Sequence, residues 1–152
     1  MADSIPKIER VLYTAKAHTT GGRDGGNSRT HDGRMDVKFT YPGAPGTGTN
    51  PEQLFAAGWS TCFLSAIKNI VGKNKIVLPD EAAIDAEVDL GILHGGHLSL
   101  AARLNVRLPG LDPKVAQELV DAAHQHCPYS RATRGNIDVV INVKTELAAH
   151  AG

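Results

Sequence analysis

A chain of 152 residues with 41% hydrophobic and 21% charged content has the size and apolar share of one ordinary globular domain spanning residues 1–152. Sixteen basic and sixteen acidic residues cancel to a formal charge of zero, so no global field favours nucleic acid or an anionic membrane as a partner. The opening MADSIPKIERVLYTAKAH lacks the apolar run of a signal peptide, no segment approaches the roughly twenty apolar residues of a membrane span, and two cysteines are too few for a disulfide framework. These features point to a cytoplasmic protein whose thiols rest reduced.

In chain order, IERVLYTAKAHT from Ile8 carries β-branched and aromatic residues in rough alternation, and RMDVKFTY sets Met35, Val37 and Phe39 against charged neighbours, so both read as strands. Between them TTGGRDGGNSRTHDG, with five glycines, reads as a loop or an irregular hairpin end that carries Arg23. A second loop, YPGAPGTGTNPEQ, ends in a helix start: Asn50 as N-cap, Pro51 at the first helical position, Gln53 three residues after the cap, and Glu52 in the first turn where the helix dipole favours a carboxylate. That helix is expected to run to about Ile70. It is apolar nearly all round, with Leu54, Ala57, Leu64, Ile67 and Val71 on one side and Phe55, Trp59, Cys62 and Ala66 on the other, so it needs cover on both sides.

Two alternating stretches, AIDAEVDLGIL and HLSLAARLNVRL, are joined by HGGH and read as a hairpin. A second helix begins at Asp112 and Pro113, carries the stripe Ala116, Leu119, Val120 and Ala123 in register to Cys127, and stops before Pro128; IDVVINVKTEL is a closing strand. The fold class is α+β in the order β-β-α-β-β-α-β, without repeats, low-complexity segments or linkers.

The two cysteines each have a plain reading as small buried hydrophobes, and residue type alone favours it. A reactive pair needs an activating cation, an approach route and a way for the sulfurs to meet. Three separated motifs, TGGRDG around Arg23, NPEQLFAAGWSTCFLSAI around Glu52 and Cys62, and CPYSRATRGNIDV from Cys127, resemble in their order the organic hydroperoxide resistance proteins. These are thiol peroxidases related to the osmotically induced bacterial protein family. The resemblance covers essentially the whole chain. It implies a peroxidatic Cys62, a resolving Cys127, an activating pair of Arg23 and Glu52, and reduction by lipoyl groups on proteins. It further implies an intertwined homodimer with antiparallel sheets wrapped around central apolar helices and active sites at the subunit interface. Trp59, Ser60 and Thr61 stand where tyrosine and alanines are commoner, and Arg131 where asparagine is frequent; these departures touch pocket shape, not the four key residues.

The residues add a constraint of their own. Attack on a peroxide needs the thiolate, and a thiol with a free pKa of about 8.5 is only a few per cent ionised at neutral pH. The helix N-terminus lies roughly 18 Å from Cys62 at about 1.5 Å per residue, too far for its dipole to help, which leaves Arg23, held by a carboxylate such as Glu52, as the candidate cation. Phe55, Trp59 and Leu64 suggest an apolar, substrate-binding entrance that favours alkyl or lipid hydroperoxides over hydrogen peroxide. HGGH and HQHC lack the paired spacing of structural zinc sites, so no metal and no cofactor is expected. A Cys–His hydrolase using Cys62 with His124 or His126 would leave Arg23 and Cys127 idle. A non-enzymatic redox-sensing or hydrophobic ligand-binding module would keep the pocket and lose turnover.

Overall fold

The computed structural model describes residues 5–147, and its contacts divide the chain into two compact units that meet at residues 50 and 51. In the first unit, β1 (Ala17–Thr20), β2 (Asn27–Thr30) and β3 (Asp36–Lys38) form an antiparallel sheet in sequence order. The register pairs Thr20 with Asn27 and Asn27 with Lys38. Asn27 reinforces it, its side-chain amide donating to the Asp36 carboxylate at 3.0 Å and to the Val37 carbonyl at 2.9 Å.

One expectation fails here: the stretch from Ile8 bends at residues 9 and 10 and becomes a paired strand only from Ala17, and Ile8, Val11, Leu12 and Tyr13 are all exposed. The glycine-rich segment read as a loop or an irregular hairpin end is the turn of the β1–β2 hairpin, and it continues into β2, whose polar residues carry no alternating apolar signal and are held by pairing on both edges.

The second unit carries α1 (Pro51–Asn74), the hairpin β4 (Ala83–Ile92) and β5 (Leu98–Arg107), α2 (Pro113–His126), the short α3 (Pro128–Thr133) and β6 (Asp138–Lys144). The sheet order is β4-β5-β6, with β4 antiparallel and β6 parallel to the central β5, so the chain returns to the sheet by a crossover through α2 and α3. The observed order is β-β-β-α-β-β-α-α-β, the expected α+β class with one more strand and one more helix.

Strand period separates the faces of this sheet. Ala102, Leu104 and Val106 of β5 are buried and Ile84, Ala86, Val88, Val139, Ile141 and Val143 pack beside them. On the opposite face Arg103 donates to both Asp89 carboxylate oxygens at 2.8 Å and to Glu87 at 3.4 Å, and Asn142 donates to Asn105 at 3.0 Å. The hairpin turn at HGGH is closed by hydrogen bonds from Leu93 N–H to the His97 carbonyl (2.8 Å) and from Gly96 N–H to the Leu93 carbonyl (2.9 Å).

Helix α1 continues one turn past the expected Ile70 and is unbroken at Gly58. One face, Trp59, Phe63, Ala66, Ile67 and Val71, is buried with the apolar face of the sheet and with Ala116, Val120 and Ala123 of α2. The opposite face exposes Gln53, Ala57, Thr61, Ser65 and Asn69. By length and composition α1 is apolar enough to cross a bilayer, contrary to the expectation that no segment approaches that limit; its large apolar residues are used in the packing just described. Helix α2 starts where the sequence places it, with the Asp112 carboxylate accepting from the N–H groups of Lys114 (3.1 Å) and Val115 (3.2 Å).

Candidate active site

Cys62 lies at the middle of α1 and is half-buried, whereas Cys127 is wholly buried; both are free thiols. Cys127 is at once the C-cap of α2 and the N-cap of α3, with an extended backbone (φ −69°, ψ 121°) that lets one helix end and the next begin. Its N–H donates to the Ala123 carbonyl at 2.8 Å and its carbonyl accepts from Arg131 N–H at 3.0 Å, so the joint is pinned on both sides. Pro128, read from the sequence as a helix stop, is the first residue of α3, a position that costs no backbone donor.

The two cysteines, 65 positions apart in sequence, are brought into one neighbourhood: Cys62 packs against the core cluster that contains Cys127, and Cys127 acts on the Cys62 thiol. Burial, then the hydrogen bond to Cys127 and the charge that Cys127 can carry, push the Cys62 thiol above its ordinary pKa; the Tyr129 backbone N–H, which donates to the sulfur, pulls the other way. A cavity of about 640 Å³ opens beside Cys62, lined on α1 by Ala66, Asn69, Ile70 and Lys73 and across from it by Ala122, His126 and Pro128. The sulfur therefore has an approach route, a partner thiol, and surroundings within this unit that keep it protonated.

The residues expected to form the apolar entrance are placed elsewhere. Trp59 is completely buried, its indole N–H donating to Ser130 Oγ at 3.2 Å. Phe55 meets Trp59 and Tyr129 edge to face, with centroids 5.8 and 6.0 Å apart. Leu64 lines a different cavity with Lys68, Val71 and Ile76. The residues facing the Cys62 cavity lie about one, two and three turns further along α1, a phase that helical spacing makes readable once Cys62 is taken as the reference.

Glu52 is in the first turn of α1, ten residues before Cys62, which at about 1.5 Å per residue is roughly 15 Å along the same straight helix. Arg23 is in the first unit, half-buried in the turn between β1 and β2. That turn is tight because a Cβ on Gly26 would come within 2.2 Å of the Gly22 carbonyl oxygen and 2.4 Å of the Thr20 carbonyl oxygen, so only glycine lets the backbone fold this closely around Arg23. His126 shares the Cys62 cavity, and His124 packs instead against Phe63 at 6.4 Å.

The second unit thus carries one thiol beside a cavity and one sealed at a helix joint, on an α+β frame. Residues 44–142 match the OsmC-like protein family. The organic hydroperoxide resistance protein of Xanthomonas axonopodis pv. citri is 48% identical over 139 residues, covering 89% of this chain and 96% of that protein. The crystal structure of the organic hydroperoxide resistance protein OhrB of Bacillus subtilis superposes with a TM-score of 0.82 at 41% identity, covering 88% of this chain and all of that one. An organic hydroperoxide resistance protein from Elizabethkingia anophelis gives a TM-score of 0.83 at 39% identity, covering 90% and 99% of the two chains. The chain belongs to the OsmC family and, within it, to the organic hydroperoxide resistance proteins.

Proposed function

We propose that the protein reduces organic hydroperoxides to alcohols at Cys62 and regenerates through Cys127. It works as a thiol-dependent peroxidase. The observation that carries the proposal is that Cys62 lines a cavity and packs against the core cluster that holds Cys127, which acts on its thiol. The Cys62 thiolate attacks the terminal peroxide oxygen; the O–O bond breaks, the alkoxide leaves and takes a proton to become the alcohol, and Cys62 is left as the sulfenic acid. The Cys127 thiol then displaces hydroxide from that sulfur, releasing water and closing a disulfide. An external dithiol reopens it through a mixed disulfide and leaves as its own cyclic disulfide; lipoyl groups on proteins fit that chemistry. The cavity offers Ala66, Ile70, Ala122 and Pro128 to an alkyl chain, more apolar surface than hydrogen peroxide can use.

Cys62 needs a cation to offset its burial, and Arg23, oriented by Glu52, supplies it. Because α1 is straight, Glu52 of one chain is too far along the helix to reach a group at its own Cys62, and the pair that serves each site comes from a partner subunit. A homodimer also accounts for the exposed apolar run at Ile8, Val11, Leu12 and Tyr13. A site that must return to the dithiol after each turnover suits a reducing compartment, and we place the protein in the cytoplasm on that ground.

The test is turnover of an alkyl hydroperoxide and of hydrogen peroxide by the purified protein, with dihydrolipoamide compared against monothiols. Expected are faster consumption of the alkyl hydroperoxide and preference for the dithiol. Cys62→Ser should abolish consumption, while Cys127→Ser should react once and stall as a sulfenic or over-oxidised species. No turnover with any pair would favour the ligand-binding or redox-sensing reading instead.

A further inference from the structure

Trp59 stands three residues before Cys62 on α1, and Ser130 three residues after Cys127 on α3, so on each helix the two side chains share a face one turn apart. Trp59 is joined to Ser130 across α1 and α3, and each cysteine lies three residues from that bond on its own segment. In that bond the indole N–H donates to Ser130 Oγ at 3.2 Å, with both residues completely buried. A buried donor enforces its geometry, because a slide of α3 along α1 breaks the hydrogen bond that satisfies the indole N–H. Tyr129 adds a second restraint on the same side, its ring against the Phe55 ring and over Gly58.

We infer that the Trp59–Ser130 hydrogen bond is the alignment device for the resolving step. It holds α3 so that Cys127 reaches the sulfenic acid on Cys62 before a second hydroperoxide does. Trp59 and Ser130 are positioning residues in this scheme, and the inference rests on the peroxidatic and resolving roles assigned above. The competition is between two balanced reactions of one intermediate. In closure, the Cys127 thiol and the Cys62 sulfenic acid give the disulfide and water. In over-oxidation, the Cys62 sulfenate takes an oxygen atom from a second hydroperoxide, which leaves as the alcohol, and becomes the sulfinate. Only closure depends on the relative placement of α1 and α3. Displacement of a reacting group by about 1 Å can cost on the order of a hundredfold in rate, so a modest slide shifts the partition.

The experiment follows the two steps separately in rapid-quench mass spectrometry, reading loss of thiol on mixing with cumene hydroperoxide and then appearance of the Cys62–Cys127 disulfide. Ser130→Ala should leave the first step within about twofold of wild type, slow closure roughly tenfold or more, and raise the sulfinate fraction formed per turnover in proportion. Ser130→Thr keeps the hydroxyl and should restore closure. Trp59→Phe removes the donor and keeps the ring stack; it should slow closure like Ser130→Ala, and the two together should be no slower than either alone, since they remove one interaction. Thermal unfolding of each variant checks that it is folded, and Trp59→Phe stands in if Ser130→Ala is not. Closure at the wild-type rate in either folded variant, or additive effects in the double variant, would overturn the alignment. Wild type that consumes peroxide without forming the disulfide would instead overturn the roles of Cys62 and Cys127 themselves.

Discussion

Gly58 lies directly beneath the Tyr129 ring: a Cβ on the glycine would come 2.7 Å from the tyrosine hydroxyl oxygen and 3.1 Å from the ring carbon that bears it. A glycine inside a 24-residue helix costs about 1 kcal/mol relative to alanine, and here that cost permits α3 to lie close against α1. The atoms in the way belong to the far end of a partly exposed side chain, so the ring can swing aside.

Gly58→Ala is therefore expected to be close to neutral in the wild-type protein, the gain in helix propensity being offset by displacement of Tyr129. In a Tyr129→Ala background the same substitution should stabilise by about 1 kcal/mol, read as a rise of roughly 2–4 °C in Tm. Equal shifts in the two backgrounds would show that the ring and the glycine are not coupled.

Cys62 gives a prediction with opposite signs for two variants. Cys127→Ala removes the hydrogen bond and the potential charge beside the thiol, leaving burial and the Tyr129 N–H, so the midpoint of pH-dependent alkylation at Cys62 should move down. Arg23→Ala should move it up, and lysine at that position should restore it only in part. In Arg23→Ala, where no cation offsets burial, the folded state holds the Cys62 proton above the ordinary thiol pKa, so stability is fully present below that value and falls as pH rises from there through the folded pKa. The difference in urea midpoint between Arg23→Ala and Arg23→Ala/Cys62→Ser, followed from pH 7 upward, should shrink across that window. A pH-independent difference would contradict the assigned direction.

How far the sequence exposed this site is clearest at Cys127. Its inward direction follows from the stripe of α2, and the Asp112 cap and Pro113 locate that helix correctly. Its role as a hinge does not follow, because Pro128 ends one helix and opens another equally well and local sequence cannot choose between them. The strand β6 was legible by alternation, yet its parallel pairing with β5 depends on the crossover. Apolar alternation from Ile8 signals a strand that wants a partner edge, and a pattern cannot say whether the same chain supplies one. Trp59 misled for a related reason: an aromatic three residues from a reactive cysteine is equally a pocket wall or core, and the Ser130 hydroxyl 71 positions away decides it.

His124 carries a pH dependence of the other sense. Burial, followed by the positive charge of Arg134, holds its pKa below the usual histidine value, with Asp121 acting weakly against them, and its Nδ1 is buried without a hydrogen-bond partner. The unfolded chain takes up a proton at the ordinary value of about 6.5. Stability should thus fall as pH drops from there through the folded pKa. His124→Phe keeps a ring against Phe63 and should flatten that part of the curve. An equally steep acid loss in the variant would assign the effect to the carboxylates.

The last prediction follows from the straightness of α1. Glu52 and Cys62 sit ten residues apart with no break at Gly58, about 15 Å along one axis, whereas a carboxylate side chain reaches only a few ångströms. If Glu52 orients the arginine that serves Cys62, each site of the dimer combines Cys62 of one chain with Glu52 of the other. Cys62→Ser and Glu52→Ala homodimers should each be inactive or nearly so. A mixed dimer, however, holds one interface where an intact Cys62 faces an intact Glu52, and the opposite interface lacks both. Exchanging subunits between the two variants should return peroxidase activity up to one working site per heterodimer, about half that of wild type. Native mass spectrometry of tagged chains verifies the exchange. Heterodimers present in the expected proportion with no recovery of activity would place Glu52 in the same chain as the Cys62 it serves, and the straight helix would then have to bend during turnover.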